Sequence, residues 1–325
     1  MSVRWGFVGT GGIAEKVGAA LAAAEGGTRF AVASRSAARA AGFAAANGFE
    51  RSFGSVAELV ADDDVDAVYV ATPHPQHLAA ARAALGAGKP VLVEKPLTAT
   101  LAGARELVQL ARDSGTFCME AYWTRFLPGT EALLELLRRG GIGEVRTVHA
   151  DLGFRAPADA ARFWDPALGG GAILDLGPYP VRLAHLLLGP PTSVQAVGSL
   201  SATGVDAQAG LLLGHAHGAV SALSVSISSQ TAGRAWVEGT EGWVEVGSPI
   251  FEVPELVLHR GGTAERLPFE AGRGHSHMLE HVHECLAAGR TESPLVPLSS
   301  TLEVMAVLDT ALDALGAVRA VEVGA

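Results

Sequence analysis

Val3-Arg4-Trp5-Gly6-Phe7-Val8-Gly9-Thr10-Gly11-Gly12-Ile13-Ala14 decides the fold. A short apolar run of strand length leads directly into a glycine turn, and a helical pattern opens at Ile13. The turn reads G-x-G-x-x-A, and each small residue has a physical reason. Gly9 permits the tight turn, Gly11 lets backbone approach a pyrophosphate, and Ala14 lets helix and strand pack closely. Thr10, Gly12 and Ile13 complete the loop, and the helix N-terminus offers unpaired N–H groups and a partial positive charge to an anion. At the first strand–helix junction of a parallel pattern, this marks a dinucleotide site.

Outward from that stretch, apolar runs at 4–8, 29–33, 67–71, 90–93 and 116–119 alternate with helical patterns at 13–24, 36–46, 55–61, 76–85 and 101–111. Runs buried on both faces and separated by helices predict a parallel, doubly wound α/β sheet. After Trp123 the pattern changes. A helix at 131–139 is followed by strand-like stretches at 144–154, 193–200, 208–213, 219–228, 234–238, 243–246 and 256–259. Leu223, Val225 and Ile227 alternate with Ser224, Ser226 and Ser228, the period of a strand with one polar face. A long helix from about 172 to 188 interrupts them, and Ser300-Thr301-Leu302-Glu303 reads as the cap of a last helix. The expectation is two domains, 1–122 and 123–325, the second an α+β domain with a large, mainly antiparallel open sheet.

The second strand selects the cofactor. A site for NAD expects Asp or Glu about twenty residues past the glycines. Here the strand ends Ala33-Ser34-Arg35-Ser36 with no carboxylate. Arg35 can fork onto a 2′-phosphate, and Ser34 and Ser36 can donate to it, so NADP is expected over NAD.

Composition narrows the partners. The 325 residues carry a net charge of −10, almost all of it after residue 122, with 49% hydrophobic and 18% charged residues. Wholesale disorder is excluded. An acidic chain without a basic stripe does not suit nucleic acid or an anionic membrane, and no apolar run reaches the ~18–20 residues of a span. The first residues lack the pattern of a secretory leader. Cys118 and Cys285 form neither a disulfide framework nor a metal-ligand spacing. A cytoplasmic enzyme with a small-molecule substrate and no metal is expected.

Two further stretches carry chemistry. Glu94-Lys95-Pro96 closes the strand at 90–93, where ligands bind in open α/β sheets. Lys95 is one of three lysines in the chain. Gly169-Gly170-Gly171-Ala172-Ile173-Leu174-Asp175-Leu176-Gly177-Pro178-Tyr179-Pro180 sets Asp175 and Tyr179 four apart, one turn on one helical face.

Together with Ala71-Thr72-Pro73-His74-Pro75-Gln76-His77, these motifs resemble the Gfo/Idh/MocA family of oxidoreductases in order and spacing, over essentially the full length. Ser34-Arg35, Met119–Phe126 and Tyr179 resemble its branch of dimeric dihydrodiol dehydrogenases and NADP-dependent aldose dehydrogenases. The resemblance implies an N-terminal Rossmann domain and a homodimer formed through the C-terminal sheet. It implies that Lys95 contacts nicotinamide ribose and substrate hydroxyl, that Tyr179 gives or takes the proton, and that Asp175 positions substrate. Thr72, Pro73, His74 and Glu94 would line the cofactor, His77 would open the next helix, and Arg162 matches a cofactor-contacting position. Pro178 departs from the family's aliphatic residue and predicts a kink beside Tyr179; Tyr122, where the branch often has an aliphatic residue, narrows the pocket.

Other features read as structural. His275, His277, His281 and His283 fall on a polar helix face of the second domain, His215 and His217 on one strand face, and Asp62-Asp63-Asp64 in a solvated turn. Trp123, Phe126, Phe154 and Trp164 read as packing. The expected activity is hydride transfer between NADP and a sugar or polyol. The alternatives are a trans-dihydrodiol or dicarbonyl substrate, a non-catalytic NADP(H) sensor, and a relative that retains NAD(H) to cleave glycosidic bonds.

Overall fold

The computed structural model describes residues 2–270 and 273–323. Strand β1 (Val3–Val8) opens the chain and α1 (Gly12–Ala23) follows the glycine turn. Then come β2 (Gly27–Ala33), α2 (Ala37–Asn47), β3 (Arg51–Phe53), α3 (Val56–Val60), β4 (Ala67–Val70), α4 (His77–Gly86), β5 (Val91–Val93), α5 (Leu101–Ser114) and β6 (Cys118–Glu120). The six strands form one parallel sheet in the order β3-β2-β1-β4-β5-β6, the doubly wound arrangement expected. Trp5, Phe7, Tyr69 and Leu92 are fully buried, which is why these strands read as continuous apolar runs. Phe7 meets Tyr69 and Phe49 edge-on at 4.8 and 5.0 Å, fastening β1 to β4 and to the end of α2.

The capping chemistry is local and legible. Ser36, Ser55 and Thr100 accept from the N–H three residues on, and so start α2, α3 and α5. Strand β3, three residues at the sheet edge, has too little periodicity to be seen in the sequence. The aspartates at 62–64 are more than a solvated turn: Asp64 takes both Arg4, at 2.6 Å, and Arg51, at 2.8 Å.

The second unit is built on α6 (Pro128–Arg138), β7 (Val145–Gly153), α7 (Ala161–Trp164), α8 (Ala172–Asp175), α9 (Pro178–Leu188) and β8 (Ser193–Leu200). The strands continue with β9 (Asp206–Gly214), β10 (Val220–Ser226), β11 (Ala235–Gly239), β12 (Gly242–Val246), β13 (Glu255–Arg260) and β14 (Thr263–Pro268). Eight strands form one sheet in the order β14-β13-β12-β11-β7-β10-β9-β8, antiparallel except for the parallel pair β7–β10. Helix α9 packs on β7 and β10, and α8 on β9 and β10. His215 lies beside a turn, buried between the Gly189 carbonyl and Ser221 Oγ, and His217 forms the turn itself with φ +56°.

Three expectations need correction. The predicted helix 172–188 is two helices. Its break falls at Leu176–Gly177, because Pro178 has no N–H to continue the ladder; Gly177 before it keeps helical angles, φ −54° and ψ −34°. The last helix, α11 (Leu298–Leu315), begins two residues before the Ser300 box, and Glu292 accepts from the Leu298 N–H.

The division of the chain is also not a single cut near 122. The first compact unit comprises residues 2–123 together with 273–302 and 321–323; the second comprises 124–270 and 303–320. Helix α10 (Gly274–Ala287) returns to the first unit, so its histidines are not a face of the second. His283 is buried there, with its ring accepting from Trp5 Nε1 at 2.9 Å and facing the Glu25 carbonyl at 2.7 Å. Ser276 donates to the Ala20 carbonyl, and Glu322 accepts from the Thr100 N–H and hydroxyl at the start of α5. These partners lie 222 to 278 residues apart in the chain, so no local pattern announces them. No helix among the described residues is long and apolar enough to cross a membrane, and no cluster of three or more metal-ligating side chains occurs among them.

Candidate active site

In the first unit, the predicted residues follow the carboxyl ends of β1, β2, β4 and β5. Gly9 has φ +111°, and a Cβ there would lie 2.5 Å from the Ala71 carbonyl oxygen, so only glycine lets the β1 turn pass over β4. At Gly11 and Gly12 a Cβ would meet nothing within 4 Å, and both are exposed. Gly11 caps the twelve-residue α1 without a side chain, leaving the first-turn N–H groups to an external acceptor. Thr10 and Ile13 are half-buried and Ala14 is fully buried against the sheet. Ser34 is half-buried and Arg35 exposed. Ser36 is exposed too, and its Oγ is already the cap of α2, accepting from Arg39 N–H at 3.3 Å.

Thr72 Oγ1 is buried and has no hydrogen-bond partner, a cost a bound group's donor or acceptor would relieve. This orphan, the open space over Gly11 and Gly12, and the uncapped N-terminus of α1 together fit a dinucleotide.

The other residues brace this edge. His77 opens α4 as expected, but it is fully buried. Its ring nitrogens face the Pro96 and Thr72 carbonyls at 2.9 and 2.8 Å, so it acts on the site through these two residues. Burial pushes its pKa down against both carbonyls, and the Lys95 charge adds to the shift. Glu94 is 6% exposed and likewise holds the site from inside: Tyr69 Oη donates to Oε1 at 2.5 Å and Lys95 N–H to Oε2 at 3.3 Å. Burial raises the Glu94 pKa, while the Tyr69 bond and the Lys95 charge oppose that rise. Lys95 is half-buried, and its peptide bond to Pro96 is cis. Pro73 is exposed; His74 is half-buried, with its ring edge-on to His77 at 5.6 Å.

The sequence reading missed two members of this frame. Tyr69 holds Glu94. Glu120, 2% exposed, accepts from the Leu97 N–H at 3.0 Å and from Thr301 Oγ1 at 3.2 Å, so it fixes the turn that carries Lys95. A carboxylate at the end of an apolar strand was the available signal.

In the second unit, Asp175 is the last residue of α8 and Tyr179 the second of α9, so they sit on either side of the break. Both are half-buried. Arg162, on α7, places Nη2 3.9 Å from Asp175 Oδ2, and its guanidinium lies 4.0 Å over the Phe163 ring. The Tyr179 ring lies 5.2 Å from that of Phe251, tilted by 41°. Phe251 was not singled out in the sequence, because it belongs to no regular element there.

Comparisons with known proteins agree on the class. Residues 3–122 match an oxidoreductase family with an NAD-binding Rossmann fold, and residues 130–245 match the GFO/IDH/MocA C-terminal domain. The trans-1,2-dihydrobenzene-1,2-diol dehydrogenases of Mus musculus and Homo sapiens are each 37% identical, over 97% of this chain and 98% of their own. Among solved structures, an aldose-aldose oxidoreductase from Caulobacter crescentus complexed with glycerol superposes with a TM-score of 0.89 at 27% identity, covering 97% of both chains. A 3-ketoreductase from Actinomadura kijaniata in complex with NADP and TDP-benzene gives 0.86 at 27%, covering 99% of both. The chain therefore belongs to the Gfo/Idh/MocA family of NAD(P)-binding oxidoreductases.

Proposed function

We propose that the protein is a cytoplasmic, NADP-dependent enzyme that transfers hydride between the nicotinamide and a hydroxyl or carbonyl of a sugar or polyol. The observation that carries the reading is the shared edge of the first sheet. Gly9–Ala14, Ser34–Ser36, Thr72 and Lys95 all follow the carboxyl ends of adjacent strands, where open α/β sheets bind ligands. When bound, the nicotinamide supplies the hydride acceptor or donor. Tyr179 takes the hydroxyl proton in oxidation and returns it in reduction. A free phenol titrates near ~10, too high for a base at neutral pH; an ammonium beside a phenol favours the phenolate, and that is the part this reading gives Lys95. Asp175 orients the substrate hydroxyl, and Arg162 orients Asp175.

A spectrophotometric screen at 340 nm of aldoses, polyols, dicarbonyls and dihydrodiols with NADP(H) tests the reading. Lys95→Met and Tyr179→Phe should each lower kcat by roughly two orders of magnitude or more; near-wild-type turnover in either removes that residue from the mechanism. A second reading, a trans-dihydrodiol substrate, is supported by Phe251 beside Tyr179 and by the names of the 37% identical relatives. Turnover of dihydrodiols but not sugars in the same screen would select it.

We further propose a homodimer through the face of the second sheet on which Val197, Leu212 and Val220 are 76%, 51% and 41% exposed. The strand registers set these three on one side with Ala222 and Ser224. Exposed apolar side chains clustered on one sheet face suit a self-complementary interface.

A further inference from the structure

Asp206, the first residue of β9, is 1% exposed and is not accounted for by the chemistry above. Its Oδ2 accepts from the Ile173 N–H at 2.6 Å. The Ala172 amide and Asp206's own amide also favour its charged form. Gly171, which caps α8 with φ +116°, has no side chain to serve α8, and a Cβ there would collide with the Asp206 carboxylate. The triple glycine at 169–171 thus has a function the sequence did not disclose. Its last member makes room for a carboxylate from β9, 33 residues beyond the Ile173 N–H it accepts from, which supplies the acceptor the first turn of α8 lacks.

That turn is a single one, Ala172–Asp175, and it leads by hydrogen bonds to the phenol-bearing helix. The Ile173 carbonyl accepts from Gly177 N–H at 3.0 Å, and the Leu176 carbonyl accepts from Tyr179 N–H at 3.1 Å. An isolated four-residue turn followed by a proline has no helical persistence of its own. What fixes its start fixes where Asp175 and Tyr179 stand.

We propose that Asp206 is a positioning residue for the reaction: its carboxylate, seated against Gly171, holds the first turn of α8 and through it the placement of Asp175 and Tyr179. The proposal rests on the reading of Tyr179 as the proton carrier. Burial pushes the Asp206 pKa up to about 7 against the three backbone amides that face it. Its ionisation therefore falls where activity is measured.

The experiment compares wild type, Asp206→Asn and Gly171→Ala on the best substrate of the NADP(H) screen. It measures kcat and KM from pH 5.5 to 9, NADPH affinity by fluorescence titration, and thermal midpoint. Asp206→Asn, whose amide must turn an NH2 donor toward the backbone amides that face the carboxylate, should lower kcat about 10- to 100-fold, the effect of misplacing reacting groups by about an ångström. NADPH affinity should stay within twofold, because the nucleotide loop belongs to the other compact unit. The wild-type break in kcat near pH 7 should vanish in Asp206→Asn, an effect that a loss of stability alone does not produce. Gly171→Ala, which crowds the same carboxylate from the opposite side, should give the same split between kcat and NADPH affinity. A folded Asp206→Asn with kcat within twofold and an unchanged pH profile overturns the proposal, as does a wild-type profile flat between pH 6 and 8. Tyr179→Phe, run alongside, separates the two ideas. Lost turnover there with unaffected Asp206→Asn rejects only the role of Asp206, whereas retained turnover rejects the role of Tyr179 itself.

Discussion

Arg35→Ala removes the guanidinium that follows β2, two residues past the last strand position. Ser36 is committed to capping α2 through Arg39 N–H, so the turn keeps its shape when Arg35 is truncated, and the substitution reads the guanidinium alone. A hydrogen bond to a charged group contributes about 1.5–3 kcal/mol. Arg35 is exposed, so water and salt screen it, and the lower part of that range applies. A loss of about 1.5–2 kcal/mol in binding a 2′-phosphate is a roughly 10- to 30-fold loss in kcat/KM for NADP. NAD has no 2′-phosphate, and its kcat/KM should stay within twofold. Initial rates at 340 nm with both cofactors, at low and high ionic strength, give the ratio directly. The wild-type preference should shrink as salt rises, and that of the variant should not. An NADP/NAD ratio that Arg35→Ala leaves unchanged refutes the reasoning about the missing carboxylate.

Three other outcomes follow from the geometry. Glu120→Ala strands the buried Leu97 N–H and should cost about 1–3 kcal/mol in urea unfolding, with Glu120→Gln losing less because its carbonyl still accepts. His275, stacked on Trp123 at 4.6 Å, has its pKa pushed from 6.5 down to about 4 by burial and then by the Lys16 charge. Below pH 6.5 the unfolded chain therefore binds a proton the folded one refuses. The melting temperature should fall as pH drops from 6.5 toward 4, and His275→Phe should flatten that slope; an identical slope in the variant assigns the acid loss to other groups. Val197→Arg with Leu212→Arg should convert a dimer to a monomer in light scattering; an unchanged mass rejects the sheet face as the interface.

How much of this was legible depends on distance along the chain. The β1 turn, the capping residues and the parallel alternation are encoded within a few residues, and the sequence displays them. The break before Tyr179 was encoded by Pro178, which predicted a kink but not two separate helices. Long-range partnerships were invisible. His283 sits on a helix that reads as polar, and only its hydrogen bond to Trp5 turns it into a core group. His77 and Glu94 stand at positions that suggest contact with cofactor, yet their buried partners make them supports. Asp206 looks like the unremarkable start of a strand until Gly171 is seen against it.

The return of α10 and of Glu322 to the first unit constrains synthesis. A ribosome delivers the glycine turn before the second unit, but the helix whose His283 meets Trp5 and the carboxylate that caps α5 emerge only after the whole eight-stranded sheet. The nucleotide half therefore stays unfinished until the second sheet has been translated. A truncated product ending near residue 122 would leave the Trp5 indole N–H without the ring it is built to meet.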